Sequence, residues 1–417
     1  MFLVQVIKLF NFFLKIKEKT YGAFIQVKYF IKFHTLPVIN KNKFEKKDII
    51  FISDHPTARI KNIAYELKKN GWTINFLFGQ KGNFQVSNIG NIEYYVASYQ
   101  ALYYFKRNKN CIIHLIDQPF RTTYLFLKYF NDISIYSPID IFYGTLNLKN
   151  KTTKKYNFIS NIQYKCLKIS RYIIFRDLQI RAIKNYKDLK LNKKKTLFFH
   201  DYLTKIKPIK SEHNDIIKVV SAGNLRTFDY RNGEAYVDLA KHIINAGYEF
   251  HIYPHYYYNN KNKKTFLEDH PKLKELAENK LLIIHECIDP KLLSEELSQY
   301  DYGVLLNGEH FYKKYGSMDS SWISKYYYKN AGSRIIDYIE AGIKIIASHS
   351  TPHNFQFFIA NRYSNVVDAN ELMKQDVKNF LQKANINQNF KNISTLSYKY
   401  NIKRLIKFYK EIHEKII

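Results

Sequence analysis

Residues 334–347 read Arg334-Ile-Ile-Asp-Tyr-Ile-Glu-Ala-Gly-Ile-Lys-Ile-Ile-Ala347 and predict a short helix, a glycine break and a buried strand. Apolar side chains recur at helical spacing at Ile335, Ile336 and Ile339, and Gly342 ends the helix. The mostly apolar run that follows has the length and composition of a strand in a parallel sheet. A helix leading into such a strand indicates an α/β fold.

Arg334 and Asp337 lie one turn apart on this predicted helix. A basic group beside a carboxylate, near the strand ends of an α/β sheet, suits the phosphates and ribose hydroxyls of a nucleotide. An ordinary surface ion pair ahead of a core strand explains the same two residues equally well. Both interpretations stay open at this point.

Composition limits the class of protein. The 417 residues exceed one ordinary hydrophobic core and predict two domains, and a hydrophobic content of 46% favours a globular over a disordered chain. The net charge of +30 predicts anionic partners, although a general bias toward lysine would produce the same charge. The sequence has no Arg-rich stripe and no nucleic-acid motif, so we predict no nucleic-acid partner. Three widely spaced cysteines fit a reducing compartment.

The N-terminal sequence is amphipathic. In residues 1–17 the polar side chains share one predicted helix face, and Phe, Leu and Val cover the other. This pattern fits an interfacial helix on an anionic membrane, as does a second candidate from Phe24 to Phe33 with Lys28 and Lys32. A helix packed against its own domain is the alternative. No stretch is long and apolar enough to span a bilayer, so we predict a cytoplasmic protein, peripheral on the inner membrane face.

From residue 48 onward, short apolar runs alternate with helical segments, which predicts βαβ units and mostly parallel sheets. Gly71 and Gly247 are predicted to end two of these helices, at 58–70 and 234–246. The predicted strands are 48–53, 74–78, 111–116, 133–137, 172–175, 196–199, 217–221, 249–253, 281–285, 302–306 and 343–347. A polar stretch at 205–214, which carries Pro208, predicts a linker, and the alternation restarts after it. We therefore predict two tandem doubly wound, Rossmann-like domains at 46–204 and 215–375. A basic amphipathic extension (1–45) precedes them, and a helical tail (376–417) follows. Ligands are expected in the cleft between the strand ends.

Five local motifs occur in order: 53–71 (SDHPTARIKNIAYELKKNG), 170–177 (SRYIIFRD), 219–226 (VVSAGNLR), 298–306 (SQYDYGVLL) and 333–342 (SRIIDYIEAG). They resemble motifs of GT-B glycosyltransferases, most closely the retaining nucleotide-sugar family 4. The resemblance covers residues 48–375, and its last motif is the most specific. It implies GT-B architecture, a nucleotide-sugar donor and a retaining outcome.

The resemblance also implies roles for individual residues on the donor side. Asp337 stands where a glutamate of the family binds the ribose hydroxyls, and Arg334 stands at the basic position beside the diphosphate. Gly223 lies where the backbone approaches the phosphates, and Arg226 lies where a basic residue neutralises them. His310 falls in a loop that contacts the donor sugar in the family. The paired-glutamate form of the last motif is absent, because Arg334 occupies the position of the first glutamate, and this departure indicates a distant subfamily.

The acceptor side is predicted from the segment after the first strand. Asp54 and His55 follow that strand directly, where either side chain could orient or deprotonate an acceptor hydroxyl. Capping of the next helix, which Pro56 and Thr57 open, is an alternative of equal weight. Arg59 is a candidate to hold an acceptor phosphate.

The predicted chemistry needs neither a metal nor a cofactor. A leaving nucleoside diphosphate develops negative charge, which Arg226, Arg334 and a helix N-terminus could stabilise without a divalent cation. A solvated surface arginine is the alternative for each of the two. No acidic pair stands at a strand end in a metal-binding context, so we predict no metal.

The sequence thus favours a glycosyltransferase that moves a sugar from a nucleotide-sugar to a glycan or lipid-linked acceptor, in bacterial surface polysaccharide synthesis such as capsule or lipopolysaccharide. Two alternatives remain. A nucleotide-sugar epimerase on the same fold would not need the first 40 or so residues. A basic nucleic-acid-binding α/β protein would bind DNA or RNA with a steep salt dependence.

Overall fold

The structure is a computed structural model, and the part of the chain that it describes comprises residues 21, 23–35, 47–82, 84–108, 111–116, 120–138, 154–176, 186–205, 216–223, 232–254, 271–278, 281–289, 292–306, 334–347, 359, 362–385 and 393–415. The chain divides into two compact units. Unit 1 comprises Met1–Arg176, Lys184–His200 and Ile402–Ile417, and unit 2 comprises Asp177–Ile183 and Asp201–Asn401. The predicted linker falls almost entirely outside the described residues.

Unit 1 contains a parallel seven-stranded sheet in the order β3-β2-β1-β4-β5-β6-β7. Its strands are β1 (Asp48–Ser53), β2 (Thr73–Phe78), β3 (Asn91–Tyr94), β4 (Ile112–Ile116), β5 (Ser134–Ser137), β6 (Tyr172–Phe175) and β7 (Lys195–Phe198). The central strand β1 pairs with β2 and β4, and Ile49 lies opposite both Ile74 and Ile112. Its apolar side chains are buried on both faces, as the runs of Ile and Phe predict for a strand covered by helices on either side.

Unit 2 contains a parallel six-stranded sheet in the order β10-β9-β8-β11-β12-β13. Its strands are β8 (Lys218–Gly223), β9 (Glu249–Pro254), β10 (Leu282–Ile284), β11 (Tyr302–Leu305), β12 (Lys344–Ala347) and β13 (Val366–Asp368). The core on one face of this sheet includes Val219, Phe250, Val304 and Ile346 from its strands. In both sheets the chain order reverses beside the first strand, so each unit is doubly wound and Rossmann-like, as predicted.

Helices connect these strands. Unit 1 has α1 (residues 21 and 23–35), α2 (Ala58–Lys69), α3 (Ser98–Asn108), α4 (Phe120–Phe130) and α5 (Lys154–Ile169). Unit 2 has α6 (Asn232–Asn245), α7 (Pro271–Leu276), α8 (Leu293–Leu297), α9 (Arg334–Ala341), α10 (Ala369–Leu372) and α11 (Val377–Asn385), and α12 (Tyr398–His413) begins in unit 2 and ends in unit 1. Among the described residues, no helix combines the length and apolarity that crossing a membrane requires.

The sequence patterns did not predict the strands β3 and β13 or the helices α3, α7, α8 and α10. Strand β3 has four residues, and its side chains are mostly exposed, so it lacks the apolar run that marks a central strand. Strand β13 has only three residues. Helix α3 follows β3 and was missed with it. Both strands lie at the edges of their sheets, where one side of the strand is unpaired. The run of apolar residues that marks a buried strand is weakest there.

Glycines end three of the helices in the way that the sequence predicted. After α9, Gly342 adopts a φ of +77°, and its N–H donates to the carbonyl of Ile339 at 3.1 Å. The N–H of Ile343 then donates to the carbonyl of Tyr338 at 3.2 Å, which completes a Schellman motif. The left-handed conformation strains residues with a side chain, which is why glycine stands here. The same positive φ occurs at Gly71 and Gly247 after α2 and α6.

The C-terminal helix α12 is anchored in the core of unit 1. The hydroxyl of Tyr409 and Nδ1 of His114 on β4 share a buried hydrogen bond of 2.7 Å, although 295 residues separate them. The rings of Tyr409 and Trp72 pack with centroids 5.4 Å apart. Burial lowers the pKa of His114 to about 3, with a smaller contribution from the charge of Arg59, so the imidazole is neutral. The helix therefore completes unit 1 from the far end of the chain.

Tyr409→Phe is expected to lower the free energy of unfolding by about 1–3 kcal/mol, because it leaves Nδ1 of His114 buried without this partner. Tyr400→Phe is the matched control, because Tyr400 lies on the same helix and is 58% exposed. This substitution is expected to change the free energy of unfolding by less than about 0.5 kcal/mol. Urea unfolding of the full chain measures both variants. Equal midpoints for the two variants would contradict the anchoring role of the bond.

Candidate active site

In open parallel α/β sheets, ligands bind at the carboxyl edge, which is the edge formed by the carboxyl ends of all the strands. In unit 2 this edge carries Gly223 at the end of β8 and Leu306 directly after β11. Helix α9 leads into β12 and runs opposite to the strands, so its first residue, Arg334, starts at the same edge.

Tyr338 fastens α9 to the sheet of unit 2. Its hydroxyl accepts a hydrogen bond from the N–H of Ala222 on β8 at 3.0 Å and donates to the carbonyl of Val304 on β11 at 3.3 Å. The ring is fully buried and lies against Gly303, where a Cβ would approach it to 2.6 Å. The helix is thus held against the two central strands, with its first turn at the carboxyl edge.

Arg334 and Asp337 form an ion pair in that first turn. Nη1 of Arg334 lies 3.2 Å from Oδ2 of Asp337, and the two side chains are 23% and 34% exposed. Burial raises the pKa of Asp337 to about 6; Arg334 opposes the rise, and the carboxylates of Glu340 and Asp201 add to it. The pair is therefore half-buried and still open to solvent, which suits the binding of an anionic, hydroxyl-bearing ligand.

A second tyrosine lies beside the same edge. The N–H of Leu306 donates to the hydroxyl of Tyr236, one turn into α6, at 3.5 Å. Burial raises the pKa of Tyr236, and the nearby charge of Arg334 counteracts this rise. Tyr236 therefore joins α6 to the end of β11, on the same edge at which α9 begins.

Glu340 was not predicted as a site residue, yet it organises the surroundings of α9. It is buried, and its carboxylate accepts hydrogen bonds from the N–H of Thr204 at 2.9 Å and from the Thr204 hydroxyl at 2.7 Å. The hydroxyl of Ser294 on α8 lies 3.5 Å from the same carboxylate. The sequence could have indicated this role for Glu340, because it follows Asp337 by three residues. That spacing places the two carboxylates on neighbouring faces of one short helix.

The other predicted donor residues are only partly described. Gly223 lies at the carboxyl edge and pairs with Pro254 on β9. Arg226 and His310 lie outside the described residues. The structure brings Gly223, Arg334 and Asp337 to one edge of one sheet, and the roles of all five residues stay predictions.

In unit 1, Asp54 and His55 follow β1 at the carboxyl edge, as the sequence predicted. Nδ1 of His55 lies 3.5 Å from Oδ2 of Asp54, and both side chains are about one-third exposed or more. Nε2 of Gln80, which follows β2, donates to Oδ2 of Asp54 at 2.8 Å. The N-cap of α2 is Thr57, whose hydroxyl accepts from the N–H of Ile60 at 3.2 Å. Neither Asp54 nor His55 is therefore the capping residue of this helix.

Arg59 does not face solvent, which differs from the role predicted for it. The side chain is 8% exposed, its Nη2 donates to the carbonyl of Phe199, and its guanidinium lies 5.7 Å from the Phe199 ring centroid. Its position on the inward face of α2 explains the burial. This placement favours a structural role inside unit 1 over contact with an acceptor phosphate.

Within the described ranges, no group of three or more His, Cys, Asp or Glu side chains is arranged to hold a metal ion.

Comparison with other proteins identifies the fold through similarity of structure and not of sequence. No protein-family model and no curated protein matches the chain by sequence.

Several solved structures match in three dimensions. A sucrose-phosphate synthase from Thermosynechococcus elongatus matches with a TM-score of 0.61 at 12% identity, over 88% of this chain and 100% of that chain. The lipopolysaccharide outer core galactosyltransferase WaaB, in its apo form, matches with a TM-score of 0.51 at 11% identity, over 89% and 100%. A UDP-GlcNAc 2-epimerase from Neisseria meningitidis, bound to UDP-GlcNAc, matches with a TM-score of 0.51 at 9% identity, over 88% and 100%.

The chain has the GT-B fold. This confirms the predicted α/β architecture of two Rossmann-like domains. Transferases and an epimerase are both similar to it in structure, so the GT-B fold does not by itself separate these activities.

Proposed function

We propose that the protein is a glycosyltransferase that moves a sugar from a nucleotide-sugar donor to a glycan or lipid-linked acceptor. The observation that carries the proposal is the Arg334–Asp337 pair in the first turn of α9, at the carboxyl edge of the second sheet of a GT-B fold. The sequence motif around this pair resembles the nucleotide-binding helix of family 4. Position in the fold and motif therefore support the same assignment.

The chemistry of the pair matches the two polar parts of a nucleoside diphosphate. Arg334 supplies a guanidinium whose planar donors fit a diphosphate, and its side chain is partly exposed to solvent. Asp337 supplies a carboxylate that can accept hydrogen bonds from the two ribose hydroxyls. Gly223 leaves the end of β8 free of a side chain, so that a phosphate could approach its backbone.

The same groups would act during the reaction. When the bond between the sugar and the diphosphate breaks, the departing diphosphate gains negative charge, and Arg334 would stabilise that charge. Arg226 and the N-terminal amides of α6 are proposed to assist, and His310 is proposed to contact the donor sugar. We propose that the reaction needs no metal ion. The family resemblance supports retention of the anomeric configuration.

On the acceptor side, His55 and Asp54 are the candidates to orient the acceptor hydroxyl or take up its proton. They lie beside each other at the carboxyl edge of unit 1, and Gln80 holds the Asp54 carboxylate in place. Burial argues against Arg59 in this group.

The proposed setting is the cytoplasmic face of the inner membrane, in the assembly of a surface polysaccharide. The net charge of +30 and the amphipathic N-terminal sequence support contact with anionic lipid. The galactosyltransferase WaaB, one of the structures with the same fold, is described as acting on the lipopolysaccharide outer core.

A nucleotide-sugar epimerase is the second candidate, because the epimerase from Neisseria meningitidis has the same fold. The two activities differ in their need for an acceptor. An epimerase converts its nucleotide-sugar in a reaction that contains no other substrate, whereas a transferase releases nucleoside diphosphate. Release of nucleoside diphosphate that rises when an acceptor is added therefore identifies a transferase.

Thermal-shift measurements with UDP-, GDP-, ADP- and CMP-sugars test the donor site. One donor is expected to raise the unfolding temperature, because a ligand at about 100 times its Kd adds about 2.7 kcal/mol of stability. Asp337→Ala is expected to abolish most of this shift through loss of the ribose contacts. Asp132→Ala is the control, since Asp132 forms an exposed ion pair with Arg171 in unit 1. A shift that survives Asp337→Ala unchanged would remove Asp337 from the donor site.

A further inference from the structure

Helix α1 packs on unit 1 through one face only. Ile25 and Phe33 are buried, and the Phe33 ring contacts those of Tyr129 and Phe130 on α4, with centroids 5.0 and 6.3 Å away. Nζ of Lys106 on α3 donates to the carbonyl of Phe33 at 2.8 Å, which secures the end of the helix. The alternative of a helix packed against its own domain is therefore correct for this face.

The opposite face of α1 is apolar and exposed. Tyr21, Phe24, Val27 and Ile31 are between 53% and 65% exposed. Their spacing of three, three and four residues puts them on one side of the helix, in a continuous stripe. Single exposed apolar residues are ordinary, but a contiguous stripe on a helix that already buries its other face indicates a surface that binds something.

The charged side chains of α1, α3 and α4 have a single sign. Lys28 and Lys32 are exposed beside it, each with its ammonium within 6 Å of the Tyr29 ring centroid. The sequences of α1 and its neighbours α3 and α4 contain no Asp or Glu. They contain six cationic residues: Lys28, Lys32, Lys106, Arg107, Arg121 and Lys128. An apolar stripe on a helix whose own charged side chains, Lys28 and Lys32, are both positive is complementary to an apolar layer beneath an anionic surface.

The direction of α1 relates the stripe to the carboxyl edge of unit 1. Oε1 of Gln26 accepts from the N–H of Tyr99 at 3.5 Å, whereas the carbonyl of Phe33, near the other end of α1, accepts from Nζ of Lys106 in the last turn of α3. Tyr99 stands in the first turn of α3, which begins just after β3 ends. The N-terminal half of α1 therefore lies toward the edge that carries Asp54 and His55.

We infer that the exposed face of α1 (Tyr21, Phe24, Val27 and Ile31, with Lys28 and Lys32) docks the protein on an anionic phospholipid surface. The apolar side chains enter the interfacial region of the bilayer, and the lysines contact the lipid phosphates. If the proposed transferase activity is correct, this docking presents the carboxyl edge of unit 1 to an acceptor carried in the membrane. Only that consequence depends on the proposed function, because lipid binding is measured without any sugar donor.

Vesicle flotation of the full-length protein tests the inference, with phosphatidylglycerol–phosphatidylcholine vesicles against pure phosphatidylcholine. The parent protein is expected to bind the anionic vesicles. Phe24→Asn/Val27→Asn/Ile31→Asn is expected to weaken this binding at least about tenfold, because the stripe loses most of its apolar area. Tyr65→Asn/Leu292→Asn/Tyr400→Asn, which alters three similarly exposed apolar residues elsewhere, is the matched control and is expected to bind like the parent. Far-ultraviolet circular dichroism checks that both triple variants are folded.

Phe24→Trp provides a second readout. On anionic vesicles its emission is expected to shift to shorter wavelength and to be quenched by lipids brominated on their chains. Equal vesicle binding by the two triple variants, or no quenching at position 24, would overturn the inference. So would a parent protein that self-associates through this face, shown by a dimer that the α1 variant converts to a monomer without any change in lipid binding. The donor-induced thermal shift is measured separately, so loss of lipid binding and failure of the proposed activity are distinguishable.

Discussion

Arg334→Ala is expected to reduce kcat/KM for glycosyl transfer by about 100- to 1000-fold. The guanidinium would lie against the diphosphate, where charge develops as the glycosidic bond breaks, and loss of one such donor typically costs a factor of this size. Initial rates of nucleoside diphosphate release measure the effect, with the donor that gives the thermal shift. Slow hydrolysis of the donor by water supplies the same readout in the absence of an acceptor.

Arg171→Ala is the matched control, because Arg171 forms an exposed ion pair with Asp132 in unit 1. It is expected to leave the rate unchanged. Neither substitution should reduce stability by more than about 1 kcal/mol, since both ion pairs are at least partly exposed. Arg334→Lys is expected to recover part of the rate, as it restores the charge but not the planar fork of donors. A rate for Arg334→Ala within about threefold of the parent would exclude Arg334 from the reaction.

Gly303→Ala is expected to lower the free energy of unfolding by about 2–3 kcal/mol and to abolish the donor-induced thermal shift. A Cβ at position 303 would lie 2.6 Å from Cγ and Cδ1 of the Tyr338 ring, which is buried and cannot move freely. Overpacking of this kind forces the neighbouring element to shift. The element here is α9, so the substitution would displace Arg334 and Asp337 from the carboxyl edge.

A double-mutant cycle with Tyr338→Ala tests the cause. Once the ring is removed, Gly303→Ala is expected to cost little further stability, so the two effects should be strongly non-additive. Urea unfolding of the four proteins supplies the cycle. Additive costs would show that the steric conflict with Tyr338 is not the reason for glycine at this position.

The spacing of apolar residues along the sequence predicted most of the strands and helices. It failed where the pattern extends over only a few residues. The central strands were located within one or two residues, because a strand buried on both faces needs a continuous apolar run. The helix ends at Gly71, Gly247 and Gly342 were correct, since a positive φ is a local demand on the residue type. The edge strands β3 and β13 were missed, because an edge strand is short and needs no buried face.

The candidate site was predicted only in part. Arg334 and Asp337 were found because one turn of helix brings them together. The supporting contacts involve distant residues: 136 positions separate Thr204 from Glu340, and 116 separate Ala222 from Tyr338. Arg59 was assigned to the acceptor because a basic residue near a strand end suits a phosphate, yet the helix turns its guanidinium toward the carbonyl of Phe199.

By itself the sequence determined that the chain alternates strands and helices in two sets, that glycines end three of its helices, and that Arg334 and Asp337 share one helical turn. These properties follow from side-chain periodicity and from backbone conformations of single residues, which depend on near neighbours only. The tertiary structure decided which basic side chains are buried and which remain accessible. It also decided that the last helix completes the first unit and that Tyr338 holds α9 to β8 and β11. Strand order brings together residues more than a hundred positions apart, and local spacing carries no information about such pairs.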